Sequence, residues 1–176
     1  MRIRSYTAAL ITAIVSTAGT VHAQAPVASA FRAVEADEAK NLVAAAETIP
    51  ADKYSYKPTP AQMTFGEIVV HLSQGNDYFC GEIAGTKAPT RAKVTATSPK
   101  AELVARLKET FEFCGTSLAT LDDSKLSEEL PFFGGRKMSR AGVMTVATGD
   151  WADHYSQSAI YMRLNGMLPP TAKKPN

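Results

Sequence analysis

Asp150 and His154 stand four residues apart in the segment 149–166, GDWADHYSQSAIYMRLNG. At about 100° per residue, a helix places both on one side, together with Val143, Ala147, Ser158 and Tyr161. An acid and an imidazole thus face the same way, one turn apart, on a side that is otherwise small or apolar. A carboxylate buried there is costly unless it is paired or bound to a cation. Two chemistries satisfy it. One is an i, i+4 ion pair, contributing about 0.2–0.5 kcal/mol when exposed. The other is a divalent metal site, in which His71 from an earlier helix supplies a second imidazole beside His154 and the Asp150 carboxylate. Two imidazoles and one carboxylate suit Zn, Ni, Mn or Fe, and the ligand types do not choose among them. Spacing alone leaves both readings open.

Rigid elements must bring His71 to the pair. Phe31, Val34, Leu42, Val43 and Ala46 recur at helical intervals up to Thr48, and Ile49-Pro50 closes that helix. Residues 51–63, with two prolines and two tyrosines, read as an ordered connection. The second helix opens with Thr64 as N-cap and Glu67 three residues on, a capping-box spacing. Its stripe is Phe65, Ile68, Val69, Leu72, Phe79 and Ile83, with His71 on the shoulder. Residues 86–97 are polar and aperiodic, long enough to cross from one end of a bundle to the other. Ser98-Pro99 reads as cap and first turn of a third helix, whose stripe runs from Leu103 to Leu121. Pro131 and Gly134-Gly135 mark an irregular or hairpin-like link. Ser139 caps a fourth helix running to Asn165, stopped by Gly166 and Pro169-Pro170. Four helical patterns without a convincing strand predict an all-α four-helix bundle.

The remaining composition bounds the class. Arg2 and Arg4 precede an apolar run over 8–21, and Val21-His22-Ala23 fits a small-x-small cleavage site. Residues 1–23 therefore read as a signal peptide, with export to a bacterial periplasm or secretion; an uncleaved anchor is the alternative. No cysteine follows the site, which argues against a lipoprotein. After cleavage no stable membrane span is expected. Residues 24–30 read as a flexible lead-in, 31–170 as the bundle, and 171–176 as a C-terminal tail. Of 19 basic residues, removing Arg2 and Arg4 leaves 17 against 17 acidic ones, and no basic cluster points to nucleic acid. His22 leaves with the leader, so His71 and His154 are the only histidines of the mature chain. Cys80 and Cys114 match no metal motif. They lie at equal offsets from the starts of helices two and three, which sets them level only if those helices run parallel. A disulfide and two buried thiols both remain open.

Two stretches resemble DinB-like (YfiT-like) bundles. Residues 51–72, ADKYSYKPTPAQMTFGEIVVHL, look like that family's proline-containing connection and capped second helix, with a histidine at the position of His71. Residues 150–170 look like its last helix, with His154, Gln157, Tyr161, Arg163, Gly166 and Pro169 in register. The resemblance implies an up-down-down-up bundle with a long crossover between helices two and three, hence parallel helices two and three. It implies a divalent transition metal at His71, Asp150 and His154. Asp150 is a departure, standing where the family usually has a histidine, so the site is either altered or degenerate. The family's activity would be that of a metal-dependent hydrolase or thiol-linked transferase acting on a small molecule. Its members are often dimers, which implies a homodimer here. Tyr161, on the same helix face, is a candidate donor to a bound group, with a packed core tyrosine as the alternative reading. The different-class alternative for the whole chain is a non-catalytic periplasmic binding bundle with a degenerate metal site.

Overall fold

The computed structural model describes residues 25–172. The expected leader and most of the C-terminal tail lie outside them. Four helices carry the fold: α1, Pro26–Thr48; α2, Phe65–Ala84; α3, Lys100–Ser117; and α4, Arg140–Leu164. A short antiparallel hairpin, β1 (Glu129–Phe132) and β2 (Arg136–Ser139), joins α3 to α4. Each of α1 and α2 packs against both α3 and α4. Side-chain pairings give the directions. Asn76 and Cys80 meet Thr110 and Cys114, so α2 and α3 are parallel. Met63 meets Tyr161 and His71 meets Asp150, so α2 and α4 are antiparallel. Lys108 pairs with Glu47 while Asp123, just past α3, meets Val27 and Ala28, so α1 opposes α3. The result is the expected up-down-down-up bundle.

Local signals explain several helix ends. Thr64 and Glu67 form a reciprocal capping box, the Thr64 N–H donating to Glu67 Oε2 at 2.6 Å and the Glu67 N–H to Thr64 Oγ1 at 3.2 Å. The Ser139 hydroxyl accepts from the Gly142 N–H at 3.1 Å, and Gly166 at φ 72° takes the left-handed conformation after α4. Ser98, in contrast, does not cap α3. Its hydroxyl accepts from the Thr95 N–H within the preceding turn, and the helix begins at Lys100.

Residue 24 of the expected lead-in 24–30 lies outside the described residues, and residues 26–30 belong to α1 rather than to a flexible segment. The chain is helical from Pro26, and Ala28 is fully buried. Proline suits a first-turn position, and the first-turn N–H groups of Val27 and Ala28 donate to the Asp123 carboxylate at 3.1 and 2.8 Å. The cap comes from nearly a hundred residues away. The α1 stripe also differs from its sequence reading: Val34 is exposed and Glu35 takes an inward position, 5 % exposed. Burial alone pushes the Glu35 carboxyl up to about 7. The tail too is tied down at its start, where the Thr171 N–H donates to the Tyr155 hydroxyl at 3.0 Å.

The long crossover is anchored by Arg91, which pairs with Asp77 of α2 at 3.0 Å and with Glu109 of α3 at 3.3 Å. Cys80 and Cys114 are joined as a disulfide, Cα atoms 5.1 Å apart, between the parallel α2 and α3. The hairpin turn uses Gly134 and Gly135 at φ 69° and 72°, a conformation that a side chain disfavours. Leu130 and Phe132 point inward from β1, which fixes the hairpin against the bundle. No helix among the described residues is long and apolar enough to cross a membrane.

Candidate metal centre

The face read from the α4 sequence is the buried one. Val143, Ala147, His154, Ser158 and Tyr161 are buried, and Asp150 lies at the border of the core. On the adjoining side Trp151 is fully enclosed, stacked at 5.6 Å on Phe31 of α1. Its indole N–H donates to Asn76 Oδ1 at 2.7 Å, and the Asn76 amide in turn donates to Thr110 Oγ1 at 3.2 Å. This buried chain of hydrogen bonds ties α4 to α2 and α3 one residue from Asp150. Because unmade hydrogen bonds in a dry interior are costly, it sets the depth and rotation of α4 against α2.

That register brings His71 over the pair. His71 Nε2 lies 3.1 Å from Asp150 Oδ1, and the two imidazole rings stack with centroids 4.5 Å apart. One potential ligand atom from each of His71, Asp150 and His154 falls within 4.8 Å of the others. Ligands held at ~2.0–2.2 Å around a tetrahedral ion stand roughly 3.3–3.6 Å apart, so the widest pair would close by up to about 1–1.5 Å around an ion. Exposure is graded across it: the side chains of His71, Asp150 and His154 are 48 %, 17 % and 7 % exposed. A cation there would be held from below and open to solvent from above.

Two details bear on whether these residues fit a metal. His154 Nδ1 lies 2.8 Å from the backbone carbonyl of Asp150. A carbonyl oxygen only accepts, so Nδ1 carries a proton, and in the neutral ring that leaves the lone pair on Nε2. This is the tautomer in which ligating histidines are usually fixed by their surroundings. The second detail is Asp150 Oδ2, a buried carboxylate oxygen with no hydrogen-bond partner. A simple His71–Asp150 ion pair satisfies Oδ1 and leaves this atom orphaned, whereas a cation would engage it. The donor set and the orphaned oxygen both fit a divalent transition metal.

Beside the three side chains lies a cleft of about 760 Å³, bounded by α2, the start of α4 and the hairpin. Gly75 forms part of its floor: a Cβ there would meet Asp150 Oδ2 at 3.4 Å and the Phe79 ring at 3.7 Å. The walls are Phe79, Phe132, Phe133 and Met138, with Arg136 at the rim. None of these residues stood out as a candidate in the sequence. The Gly-Gly turn marked a hairpin, but not where it folds.

Tyr161 does not reach toward the cleft residues. Its hydroxyl donates to the Met63 carbonyl at 2.7 Å, closing the connection before α2 onto α4, and burial pushes its phenol up. The packed alternative describes it. Gln157, in the expected family register, is half-buried and donates to Asp153 Oδ2 at 2.7 Å, away from the cluster.

Comparison with known proteins agrees with this architecture. A DinB-like protein from Bacillus subtilis superposes with a TM-score of 0.65 at 24 % identity, covering 83 % of this chain and 99 % of its own. A DinB-like protein from Bacillus cereus gives 0.65 at 15 % identity, covering 81 % and 95 %. A conserved protein from Enterococcus faecalis gives 0.63 at 12 % identity, covering 78 % and 96 %. At these identities the likeness speaks for the fold. None of the curated proteins matches the chain. The family model of the DinB superfamily matches residues 36–158, which span α2, α3, the hairpin and the candidate cluster. The chain belongs to the DinB superfamily.

Proposed function

We propose that this DinB-superfamily protein is exported and binds one divalent transition metal through His71, Asp150 and His154, acting as a metal-dependent hydrolase on a small molecule. The observation that carries the reading is the Asp150 carboxylate, whose Oδ1 faces both imidazoles while its Oδ2 is buried without a partner. When bound, a divalent ion supplies Lewis acidity that makes a nucleophile available near neutral pH. The protein's own contribution is positional. Asp150 and His154 are set by the α4 register, His154 is oriented by the Asp150 carbonyl, and His71 closes the set from α2. The apolar cleft beside them seats the substrate. Hydrolysis is preferred to thiol transfer because low-molecular-weight thiols are mainly cytoplasmic, whereas residues 1–23 read as an export signal.

The second reading, a non-catalytic binding bundle, draws on the 3.1 Å contact between His71 and Asp150, a geometry that an ordinary ion pair also has. Equilibrium dialysis against Zn, Ni, Mn and Fe separates the two. One equivalent of metal per chain in wild type, lost in His71→Ala, supports the site, and ester turnover by the loaded protein supports hydrolysis. Uptake in wild type no greater than in His71→Ala sinks the metal reading. Intact mass of the protein recovered from the periplasm tests export, with Gln24 expected at the N-terminus. Sedimentation of the same material tests the homodimer.

A further inference from the structure

The cleft beside the cluster has a chemical character of its own. Phe133 at the hairpin tip is 49 % exposed, a large apolar side chain left half open to solvent. It is held in place by stacking on Tyr78 at 4.2 Å and by edge contact with Phe79 at 5.9 Å. Tyr78 and Phe79 belong to α2, so the hairpin tip and the helix form one aromatic wall. At its rim the Arg136 guanidinium lies 5.2 Å from the Phe132 ring centroid, and its Nε donates to the Phe133 carbonyl at 3.1 Å. Those contacts aim the group, yet no carboxylate pairs with it among the described residues. Asp150 is the one acidic side chain in the lining, and a bound cation would neutralise it. The missing Cβ of Gly75 leaves open the passage between Asp150 Oδ2 and the Phe79 ring, so wall and cluster share one space.

We propose that this cleft binds a flat apolar or aromatic molecule carrying one carboxylate, its ring against Phe133 and Phe79 and its anionic group on Arg136. The assignment rests on the metal reading for what the far end of the ligand meets at His71 and Asp150. A planar ring gains from the aromatic faces, and a carboxylate matches the planar fork of an arginine. The occupant is therefore an organic anion rather than a sugar or a polycation. The volume, about 760 Å³, accommodates a two-ring molecule with room for a group at the cluster.

The test uses 2-naphthoate and its neutral counterpart 2-naphthylmethanol, titrated into zinc-loaded and metal-stripped protein with zinc content measured on each sample. Naphthoate is expected to bind roughly five- to tenfold more tightly than the alcohol, in line with a partly exposed charge-assisted pair. Arg136→Gln should erase that difference in both zinc-loaded and stripped protein, while Phe133→Ala should weaken both probes about equally. Both positions are exposed, so folding is expected to survive, and circular dichroism of each variant verifies it. Equal affinities for the two probes, an unchanged preference in Arg136→Gln, or no naphthoate binding would each overturn the proposal. Zinc uptake without naphthoate binding removes the cleft assignment and leaves the metal site. Arg136-dependent naphthoate binding without zinc uptake upholds the cleft and removes the metal.

Discussion

Replacing Asp150 by alanine should change stability in opposite directions with and without metal. In metal-free protein the substitution removes the 3.1 Å contact to His71, whose side chain is 48 % exposed. A pair that open to water is worth about 0–1 kcal/mol. The substitution also removes Oδ2, a buried oxygen without a partner, and an orphaned buried acceptor costs about 1–3 kcal/mol. Alanine is in addition the better helix former by a few tenths of a kcal/mol. Metal-free Asp150→Ala should thus be as stable as wild type or more stable by about 1–2 kcal/mol. His154 keeps its orientation, since Nδ1 donates to the backbone carbonyl of residue 150 rather than to the side chain alone.

Zinc reverses the order. At a free concentration about a hundredfold above Kd, binding stabilises wild type by about 2.7 kcal/mol, roughly 5–11 °C in Tm for a domain of this size. Changing a group that merely supports a ligand costs about 10–100-fold in affinity, so losing the carboxylate itself should cost at least the upper figure. At the same zinc concentration the variant would then gain only about 0.4 kcal/mol. Differential scanning calorimetry in EDTA and in zinc measures both arms. A Tm fall of several degrees for Asp150→Ala in EDTA would show that the carboxylate is a structural anchor. An equal zinc-induced rise in both proteins would show that the ion binds elsewhere.

Three further outcomes follow from the fold. The Cys80–Cys114 bridge closes a sequence separation of 34, so its reduction should cost about 4 kcal/mol; a large Tm drop in reductant is expected, and two free thiols in protein purified without reductant would contradict it. Trp151→Phe should lower stability by about 1–3 kcal/mol in urea melts, because it strands the buried Asn76 Oδ1 that the indole N–H satisfies at 2.7 Å; an unchanged midpoint would remove this network as the element that sets the α4 register. Glu35 is held up to about 7 against an ordinary value of 4.5. Between those pH values the folded chain keeps a proton that the unfolded chain has released, so stability falls as pH rises through that window and the loss is complete above it. Glu35→Gln should therefore match wild type near pH 4 and exceed it at pH 8 by on the order of 2–3 kcal/mol; parallel pH–stability curves for the two proteins would refute the shift.

Much of the architecture follows from short-range rules that a sequence displays. The Thr64–Glu67 box, the Ser139 cap and the Gly166 stop act within a turn of their own positions, so their residues alone indicate where α2 begins and where α4 begins and ends. The apolar period of α4 likewise identified the face on which Asp150 and His154 stand. The start of α1 was not legible, because its cap is the Asp123 carboxylate from beyond α3. Glu35 was not legible as an interior residue either: the rotation of α1 against α3 and α4 buried it, while Val34 turned to solvent. The opening pair, Asp150 and His154, was determined by helical spacing. Tertiary packing decided what that pair is for. It laid His71 against Asp150 across two antiparallel helices, left Oδ2 without a partner, and folded Phe133 and Arg136 over the opening. Residues 79 positions apart can share a site only once the bundle has set the register between α2 and α4, and no local preference encodes that register.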